Sequence, residues 1–535
     1  MFGAPQRRPP VHLLLAVLAA YLVLAGLTAL SEHAWANEAW FASPALTLIH
    51  KGYLGTAILE SKGTWLEGID RHTYWIPPLH PLAQALWYRL FGFSLLALRW
   101  LSIAAGAALL LAWYSIVARL AESRWIALLS VAITATDARF LTFAELGRPD
   151  AVCAALGALG WAVYLQWRER FLFRAILAGN ALVAASCLTH PCGGLYAAGL
   201  LLLTAYFDRR RIGWRGLACM GLPYVAALSA WGAYILQAPS QFKTQFFGNI
   251  GGIGREFTGV NRLSGLTSPL QALKRELFLR YGYAFGRYAT DFADRMAFFA
   301  LLIYVLAVVG CLLTPSIRRH RGYRALLLVG ALDYLALGIF DGFKSSGYLL
   351  HTMPLAGAFL AIYAHFLLSR ARRPALAMAL AAMILLFGAL QLNAIYRNLS
   401  VTPERWDYER AVAFVRRAGA PSGIIAAGEF AFVLGFDSGM VDDLRLGYFS
   451  GRRPPLIVAN SIYRGWLEQS AVIDPAIHRY MVQLLRDEYW VAFRNSTYTI
   501  YQRLPRPLKP QAACGSGCAS RHGAAGRDDG PVTAG

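Results

Sequence analysis

Long apolar segments are the feature that most constrains how this chain can fold. A membrane-spanning helix needs roughly 20 consecutive apolar residues, and about eleven segments approach that template. They are residues 11–30, 97–118, 125–144, 150–167, 174–189, 191–207, 216–236, 297–314, 325–341, 348–368 and 375–395. The 535-residue chain is 57% hydrophobic and only 15% charged, which argues against a purely soluble fold. We predict a polytopic α-helical membrane protein whose first span is retained, because it is too long for a signal-peptide core.

The net charge of +21 would suit a nucleic-acid partner, but the arginines are distributed as membrane topology requires. Short basic connections alternate with the predicted spans. They are residues 119–124, 168–174, 208–215, 318–324 and 370–373, together with Arg7 and Arg8. Basic loops are retained on the cytoplasmic side, so these connections predict one cytoplasmic face. We therefore predict the lipid bilayer as a partner and no nucleic acid.

The remaining connections then fall on the extracytoplasmic face, and they carry most of the chemistry-bearing side chains. They are the first loop 31–96, the turns 145–150, 189–194 and 341–348, and a second long loop 238–296. The first loop is too polar for lipid and rich in Trp and Tyr, which is typical of a membrane surface. The second loop is longer than a connector needs to be and is predicted to cover a substrate.

Beyond residue 400 the composition changes to that of a small α/β domain. Glu404 to Arg417 reads as an amphipathic helix, and four short β-like runs follow: GIIAAG, PLIVAN, YWVAF and YTIYQRL. We predict a membrane domain over 1–400, an extracytoplasmic α/β domain over 401–504 and a disordered tail over 505–535, because the tail has too few apolar residues to pack.

Glu38, in WANEAWFA at the end of the first span, is a candidate general base. A carboxylate that is partly desolvated there has a raised pKa, as general-base catalysis near neutral pH requires. The structural alternative is a solvated loop carboxylate, and position alone favours that alternative.

Two outer turns combine cations with other polar groups. Glu145, Arg148 and Asp150 occur in AELGRPDA, where Asp150 also suits the first turn of a helix and Arg148 suits a phosphate. Lys344 and Tyr348, in FKSSGYLLHTMP, suit a phosphate beside small residues, or else the anchoring of a helix at the membrane surface.

The other candidate groups give weaker signals. His72, His80 and His190 lie on the outer side, and each alone is more often structural than a ligand or a base. Seven cysteines form no disulfide framework, and no His, Asp or Glu set has the spacing of a metal site. We predict no metal ligands and no firm cofactor, leaving a divalent metal open.

In order along the chain, these motifs resemble those of the bacterial integral-membrane glycosyltransferases of the GT-C superfold. That group contains aminoarabinose transferases of lipid A and protein O-mannosyltransferases. The resemblance covers roughly residues 11–400. It rests on NEAWFA after the first helix, the WIPPLHPLAQALWYRLFGFSLLALRW element, the GRPDA helix start, a Thr-His-Pro turn and KSSGYLLHTMP.

The resemblance implies a polyprenyl-phosphate sugar donor and an inverting transfer to an acceptor hydroxyl. It implies that Glu38 is the base and that Lys344, Tyr348 and Arg148 bind the donor phosphate. Asp150 and Glu145 would then be carboxylates that support the site or bind the acceptor.

Two departures from the family pattern bear on these roles. Asn37 stands where many relatives have Asp, so Glu38, or else Glu60 or Glu67, would act as the base. Trp75 and Ile76 precede the Pro-Pro pair, where a Lys is common in relatives. The phosphate would then draw on Lys62 or Arg71 instead.

We therefore expect a glycosyltransferase in the bacterial inner membrane, with its site and C-terminal domain on the periplasmic side. The acceptor would be a glycolipid such as lipopolysaccharide, a polysaccharide or a protein. The alternatives are a transporter or flippase of a lipid-linked substrate, which would place ionisable groups near the bilayer midplane, and a catalytically silent scaffold.

Overall fold

The computed structural model describes residues 11–251, 265–287, 289, 292–370, 374–400, 402–419 and 422–505. The first half of the chain contains helices α1 (Val11–Ser31), α2 (Ala36–Lys51), α3 (Leu79–Phe91), α4 (Leu95–Leu120), α5 (Arg124–Ala135), α6 (Ala138–Glu145), α7 (Pro149–Trp167), α8 (Leu172–Cys187), α9 (Gly193–Asp208), α10 (Trp214–Ile235), α11 (Pro239–Phe242) and α12 (Gly248–Gly251).

The second half continues with helices and a small sheet. The helices are α13 (Pro269–Arg275), α14 (Gly282–Ala284), α15 (Phe292–Leu313), α16 (Pro315–Arg319), α17 (Arg321–Phe340), α18 (Leu349–Arg370), α19 (Pro374–Leu399), α20 (Pro403–Arg417), α21 (Ala431–Leu434), α22 (Ser461–Ile473) and α23 (Pro475–Glu488). The strands are β1 (Ile425–Ala426), β2 (Leu456–Ala459), β3 (Tyr489–Arg494) and β4 (Thr499–Arg503). All but the first residue of the tail predicted to be disordered, 505–535, lies outside the described residues.

The chain is a multi-pass helical membrane protein, and helices cover the segments predicted to span. Among the described residues, six helices are long and apolar enough to cross a membrane, or seven if the bent pair α5 and α6 is one span. The sequence predicted about eleven. The difference arises in part because helices such as α8 and α9 have 16 residues each and fall short of a full span.

The bend of 68° between α5 and α6 has a local cause in Asp137. Its side chain caps α6 by accepting hydrogen bonds from the amides of Arg139 and Phe140, both at 2.9 Å. The other carboxylate oxygen accepts from Tyr304 and Gln391, also at 2.9 Å. A buried carboxylate in apolar surroundings needs such partners. The bend between α5 and α6 therefore depends on Tyr304 and Gln391 as well as on Asp137.

Close packing inside the bundle depends on small residues, as is usual for membrane helices. A Cβ atom added at Gly160 on α7 would lie 2.7 Å from the carbonyl oxygen of Gly179 on α8, so only glycine lets the two backbones approach this closely. By contrast, α10 exposes Leu217, Leu222 and Leu228 by 62–63% each. We interpret this apolar face as the surface that meets lipid.

Basic connections meet at one end of the bundle, namely residues 119–124, 168–174, 208–215 and 318–324, whereas Arg7, Arg8 and residues 371–373 lie outside the described residues. Arg168 pairs with Asp208 at 2.7 Å, which joins the α7–α8 connection to the end of α9. Arg119, at the end of α4, pairs with Glu169 at 2.5 Å. The turns that carry the candidate chemistry lie at the opposite end.

The first loop contains two helices, α2 and α3, which the sequence pattern did not predict. The apolar residues Phe41, Ala42 and Leu46 of α2 are buried. Gly52 ends this helix in the left-handed conformation at φ 81°. Charged residues flank α2 and α3, and such a mixed composition is typical of a surface loop. The sequence pattern therefore did not indicate these two helices.

The two long loops are bound to each other by Gln245. Its amide nitrogen donates to the carbonyl oxygens of Glu67 at 3.1 Å and His72 at 2.9 Å. Its amide oxygen accepts from the Tyr74 amide at 2.8 Å. Residues 252–264, which include part of the glycine-rich FGNIGGIG segment, lie outside the described residues.

The C-terminal region contains the expected mixed sheet, with strand order β1-β2-β4-β3. β1 and β2 pair in parallel, while β2 with β4 and β3 with β4 pair antiparallel. The sheet region contacts the first loop directly, because the Asp442 amide donates to the Ile58 carbonyl at 2.7 Å and the Glu60 amide donates to the Asp442 carbonyl at 3.3 Å.

The side chain of Asp442 makes this contact sensitive to pH. It accepts hydrogen bonds from Trp40 Nε1 at 2.9 Å and from the Tyr463 hydroxyl at 2.7 Å. Burial, together with the nearby Glu429, raises the pKa of Asp442 to about 7, against the lowering effect of those hydrogen bonds. The folded state therefore binds this proton more tightly than the unfolded state does.

We predict that the stabilising effect of protonated Asp442 is full below pH 4 and is lost as the pH rises towards 7, at about 1.4 kcal/mol per pKa unit. In Asp442→Asn this loss should be absent, so the variant should unfold at a higher temperature than the wild type at pH 8. Thermal unfolding of the detergent-purified protein at pH 5 and pH 8 measures this. Asp437→Asn, at a carboxylate that is 60% exposed, is the control. An unchanged pH dependence in Asp442→Asn would refute the prediction.

Candidate active site

Three turns between helices bring together residues that are far apart in sequence. The turns join α6 to α7, α8 to α9 and α17 to α18. The ring centroids of His190 and Tyr348 are 5.4 Å apart, and those of Tyr348 and His351 are 6.3 Å apart. His351 Nε2 lies 3.9 Å from Asp150 Oδ1. The central cluster therefore contains Arg148, Asp150, His190, Tyr348 and His351.

Arg148 and Asp150 are held by the start of α7. Pro149 occupies the first helical position, where its missing amide costs nothing. Arg148 Nε then donates to Asp150 Oδ2 at 2.9 Å. The side chain of Asp150 is 2% exposed, and its Oδ1 is buried without a hydrogen-bond partner among the described residues.

The guanidinium of Arg148 has N–H groups that can donate further hydrogen bonds. Its terminal nitrogens have no hydrogen-bond partner in the described part of the chain, and the side chain is 18% exposed. A Cβ atom added at Gly347 would lie 3.6 Å from Nη2, so the guanidinium lies beside the turn that begins α18. Its central carbon is 5.7 Å from the ring centroid of Phe41 on α2.

Lys344 lies beside this cluster, but its charge is already paired. Its Nζ is 3.1 Å from Glu276 Oε2, and Glu276 also accepts from Arg280 Nε at 2.6 Å. Arg280 Nη2 donates in turn to Asp341 at 2.9 Å. Two cations and two carboxylates therefore form one buried network. Burial lowers the pKa of Lys344, although Glu276 acts in the opposite direction.

This network supports the KSSGY turn. Arg280 Nη1 donates to the Ser345 carbonyl at 2.6 Å, and its guanidinium carbon is 5.4 Å from the Tyr348 ring centroid. Lys344 itself has φ 59°, in the left-handed region that non-glycine residues seldom adopt. The turn is thus fixed by side chains of the second long loop.

Glu38 lies in a neighbouring cluster and is fully buried. Arg99 Nε and Nη2 donate to its two carboxylate oxygens at 2.9 and 2.8 Å. The Gly147 amide donates to Oε1 at 2.9 Å, and the Trp35 amide donates to Oε2 at 3.0 Å. These four contacts are typical of a structural carboxylate that joins elements of the fold, rather than of a general base with a free oxygen.

Glu145 shares the same guanidinium at a greater distance. Its Oε2 is 3.9 Å from Arg99 Nε, and both of its oxygens are buried without hydrogen-bond partners among the described residues. Two buried carboxylates therefore face one cation. Gly147 and Arg148 follow directly, so the Glu38 cluster and the central cluster meet in the turn before α7.

The remaining predicted residues differ in position. His72 contacts Gln241 at 3.0 Å and contributes to the junction of the two long loops. Arg71 and Lys62 are exposed on the first loop, and no contact joins either of them to the central cluster. His80 is fully buried on α3, and burial lowers its pKa to about 3, so its imidazole is neutral at pH 7.

His80 begins a polar stripe along α3 that continues at Gln84 and Tyr88, one helical turn apart each time. All three are buried. Within the described structure, both ring nitrogens of His80, both amide atoms of Gln84 and the Tyr88 hydroxyl have no hydrogen-bond partner. Native interiors rarely leave such groups unpaired, so this stripe is a candidate contact for polar substrate groups or water.

Sequence reasoning missed Arg99, Cys192, Arg280 and His351. Cys192 and His351 lie within the motifs THPCGG and KSSGYLLHTMP, so the signal was present, but nothing local shows that the two motifs meet. The donor atoms of His190, Cys192 and His351 all lie within 4.8 Å of one another. This buried His-Cys-His group could hold a metal ion, where the sequence had indicated no ligand set.

Solved structures resemble most of the chain, although no protein-family model and no curated protein sequence matches it. ArnT from Cupriavidus metallidurans bound to undecaprenyl phosphate has a TM-score of 0.54 at 14% identity, covering 94% of this chain and 99% of that chain. The Archaeoglobus fulgidus oligosaccharyltransferase complexed with Zn and sulfate has a TM-score of 0.53 at 12% identity, covering 90% and 73%.

The archaeal oligosaccharyltransferase AglB from Archaeoglobus fulgidus, in complex with an inhibitory peptide and a dolichol-phosphate, has a TM-score of 0.51 at 11% identity, covering 93% of this chain and 75% of that chain. These likenesses confirm the resemblance inferred from the motifs: the chain has the fold of the GT-C membrane glycosyltransferases. At identities this low they establish the fold alone.

We predict that Glu38→Gln lowers the stability of the protein, because it leaves the Arg99 guanidinium buried without its countercharge. Breaking a buried ion pair from one side costs about 3–5 kcal/mol. Thermal unfolding in detergent measures the change. Glu67→Gln, at an exposed carboxylate of the same loop, should behave as the wild type.

The opposite pattern would return Glu38 to the role that the family resemblance implies. In that case Glu38→Gln would unfold at the temperature of the wild type and would nevertheless lose glycosyl transfer.

Proposed function

We propose that this protein is a glycosyltransferase that takes a sugar from a polyprenyl-phosphate carrier and transfers it to an acceptor hydroxyl. The observation that carries the proposal is the pair of Arg148 and Asp150. A guanidinium with free donors and a carboxylate with an open oxygen lie side by side at one end of the bundle. Solved examples of the same fold were bound to undecaprenyl phosphate and to a dolichol-phosphate.

Arg148 is the group best suited to bind the donor phosphate. A guanidinium can donate two parallel hydrogen bonds to phosphate oxygens. The Ser346–Tyr348 turn beside it leads into α18, and the first amides of a helix favour an anion. The phosphate leaves with additional negative charge, so donors fixed at this point stabilise the leaving group.

Tyr348 and Lys344 keep supporting roles in this proposal. Tyr348 lies between Arg280 and the two histidines and can bind the phosphate with its hydroxyl. Lys344 is paired with Glu276, so we assign it the task of fixing the KSSGY turn. Lys62 and Arg71, on the exposed surface of the first loop, would attract the anionic donor from a distance.

We assign the base to Asp150 by position, because it lies beside the proposed phosphate site and its pairing with Arg148 keeps the carboxylate ionised. Its Oδ2 is bound by Arg148, while Oδ1 is open. Oδ1 would accept the proton of the acceptor hydroxyl as that oxygen attacks the anomeric carbon of the sugar. The bond between this carbon and the phosphate oxygen breaks, and the lipid phosphate leaves with the electron pair. Attack opposite the leaving group inverts the anomeric centre.

Glu38 and Glu145 would then support the site from the adjoining cluster. Through the Gly147 amide, Glu38 fixes the turn that carries Arg148. If Asp150 is not the base, Glu145, which has two oxygens without partners in the described structure, is the next candidate.

The membrane setting of the proposal follows from the charge distribution. The basic connections lie at the end opposite the site, so the positive-inside rule assigns the site and the C-terminal domain to the periplasmic face of a bacterial inner membrane. The donor tail would lie between helices. The acceptor classes that fit this face are a glycolipid such as lipopolysaccharide, a polysaccharide or a protein. A transporter would be expected to hold its substrate near the midplane, whereas Arg148 and Asp150 lie at helix ends.

We predict that Arg148→Ala weakens binding of the lipid phosphate by about 10- to 100-fold, the loss expected for hydrogen bonds to charged groups. Titration of the detergent-purified protein with undecaprenyl phosphate measures this affinity. Arg89→Ala, at an exposed arginine near the end of α3, is the control. Lys62→Ala and Arg71→Ala should cause smaller losses that disappear at high salt. Unchanged affinity in Arg148→Ala would remove Arg148 from the phosphate site.

We predict that Asp150→Asn lowers the rate of sugar transfer by about 10²- to 10⁴-fold, the usual contribution of a general base. Its affinity for undecaprenyl phosphate should change much less, because the amide oxygen can still accept from Arg148. A transfer assay with lipid-linked sugar, run alongside the binding titration, separates the two effects. If transfer continues at the wild-type rate, Asp150 is not the base, and the Glu145→Gln variant becomes the next test.

A further inference from the structure

We propose that His190, Cys192 and His351 bind one zinc ion. The three side chains are 7%, 8% and 5% exposed, and their donor atoms all lie within 4.8 Å of one another. His190 and Cys192 come from the turn between α8 and α9, while His351 belongs to the first turn of α18. The site would therefore join two elements that are about 160 residues apart in sequence.

A hydrogen bond orients His351 for this role. The Tyr196 hydroxyl lies 3.1 Å from His351 Nδ1, which leaves Nε2 to face the cluster. Metal-bound histidines generally have such a partner on the second ring nitrogen, because it fixes the ring and its tautomer.

A second observation, independent of the cluster itself, points to a cation. His351 Nε2 and Asp150 Oδ1 are both buried without hydrogen-bond partners among the described residues, and they face each other at 3.9 Å. A direct hydrogen bond would bring the two atoms to about 2.9 Å. In the tautomer in which Nδ1 donates a hydrogen bond to the Tyr196 hydroxyl, both facing atoms are acceptors. A cation bound at Nε2 would then give the imidazole a partner and would lie beside the negative carboxylate of Asp150.

The other two ligands are prepared by their local turn. The Cys192 amide donates to His190 Nδ1 at 3.1 Å, which holds this two-residue spacing in a closed turn. Cys192 Sγ is buried, and none of the proposed catalytic steps uses it. A thiol in this position is otherwise no more than a small apolar residue.

The ligand types limit the choice of metal. Two imidazoles and a thiolate suit zinc and also occur in copper sites, whereas magnesium and calcium prefer an all-oxygen environment. A copper site of this kind is usually completed by a Met sulfur, whereas a four-coordinate site with a water molecule is typical of zinc. In a tetrahedral zinc site, bonds of about 2.0–2.3 Å place neighbouring donors about 3.3–3.6 Å apart. The three side chains therefore need to move together by about 1 Å at most. A water molecule would complete the four-coordinate site, which leaves Asp150 Oδ1 available as the base.

The ion would have a structural role. It would fix the α8–α9 turn against the start of α18, next to Arg148 and Tyr348. The inference does not depend on the proposed reaction, because its test measures bound metal and not sugar transfer.

The test is the metal content of the full-length protein, purified in detergent without added metal and measured by inductively coupled plasma mass spectrometry. We expect about one zinc per chain in the wild type, and a loss of at least tenfold in Cys192→Ser and in His351→Gln. Cys187→Ser and Cys219→Ser, at partly exposed cysteines, are the matched controls and should retain the metal. Size-exclusion profiles and thermal unfolding show that each variant is folded.

Cobalt substitution tests the thiolate ligand separately. Wild-type protein reconstituted with Co²⁺ should show a sulfur-to-cobalt charge-transfer band that Cys192→Ser lacks. Three results would overturn the proposal. The wild type could hold no more zinc than Cys192→Ser does. It could hold a different metal. It could also retain stoichiometric zinc in both folded ligand variants, which would assign the ion to another site.

Discussion

The buried ion pair between Glu38 and Arg99 is the interaction on which this end of the molecule depends. Besides Glu38, Arg99 donates to the carbonyl oxygens of Ala29, Glu32 and His33, at 2.7–3.0 Å. Glu38 in turn accepts from the Gly147 amide. One pair of side chains thus fixes the end of α1, the start of α2, the start of α4 and the turn before α7. Glu38 and Arg99 therefore fix the positions of Arg148 and Asp150 without needing to contact a substrate themselves.

This arrangement explains why a motif can be recognised in sequence while the role of its carboxylate is not decided there. A carboxylate just beyond the first span is a natural candidate base, and position alone does not distinguish a free carboxylate from a paired one. The distinction depends on Arg99, which lies at the start of an apolar segment 61 residues later. In the sequence Arg99 is simply a cation near a membrane end. Only the tertiary contact between the start of α4 and the start of α2 gives it a partner.

Local sequence patterns predicted those structural features that depend on interactions between residues close together in the chain. The helical segments, the four strands near residues 425–503 and the grouping of polar turns all follow from apolar length, alternation and charge. Asp150 at the start of α7 follows from the preference of a helix N-terminus for a carboxylate. The pairing of Lys344 with Glu276 and the meeting of Cys192 with His351 could not be predicted in this way. Each joins segments that are distant in sequence, and no periodicity encodes such a distance. Two helices in the first loop were missed because their polar flanks are typical of irregular surface chain.

The contact between the first loop and the C-terminal sheet has a consequence for biosynthesis. Leu59 pairs with Asp442 across roughly 380 residues of chain, and Val441 pairs in turn with β1. The first loop therefore cannot complete its backbone hydrogen bonds until the last part of the protein has left the ribosome and reached the same side of the membrane. Until then the intermediate carries an open edge at Ile58 to Glu60, which is the kind of surface that chaperones and proteases recognise. A chain truncated before residue 440 would lack Asp442, so the backbone groups of Ile58 and Glu60 would stay without these partners.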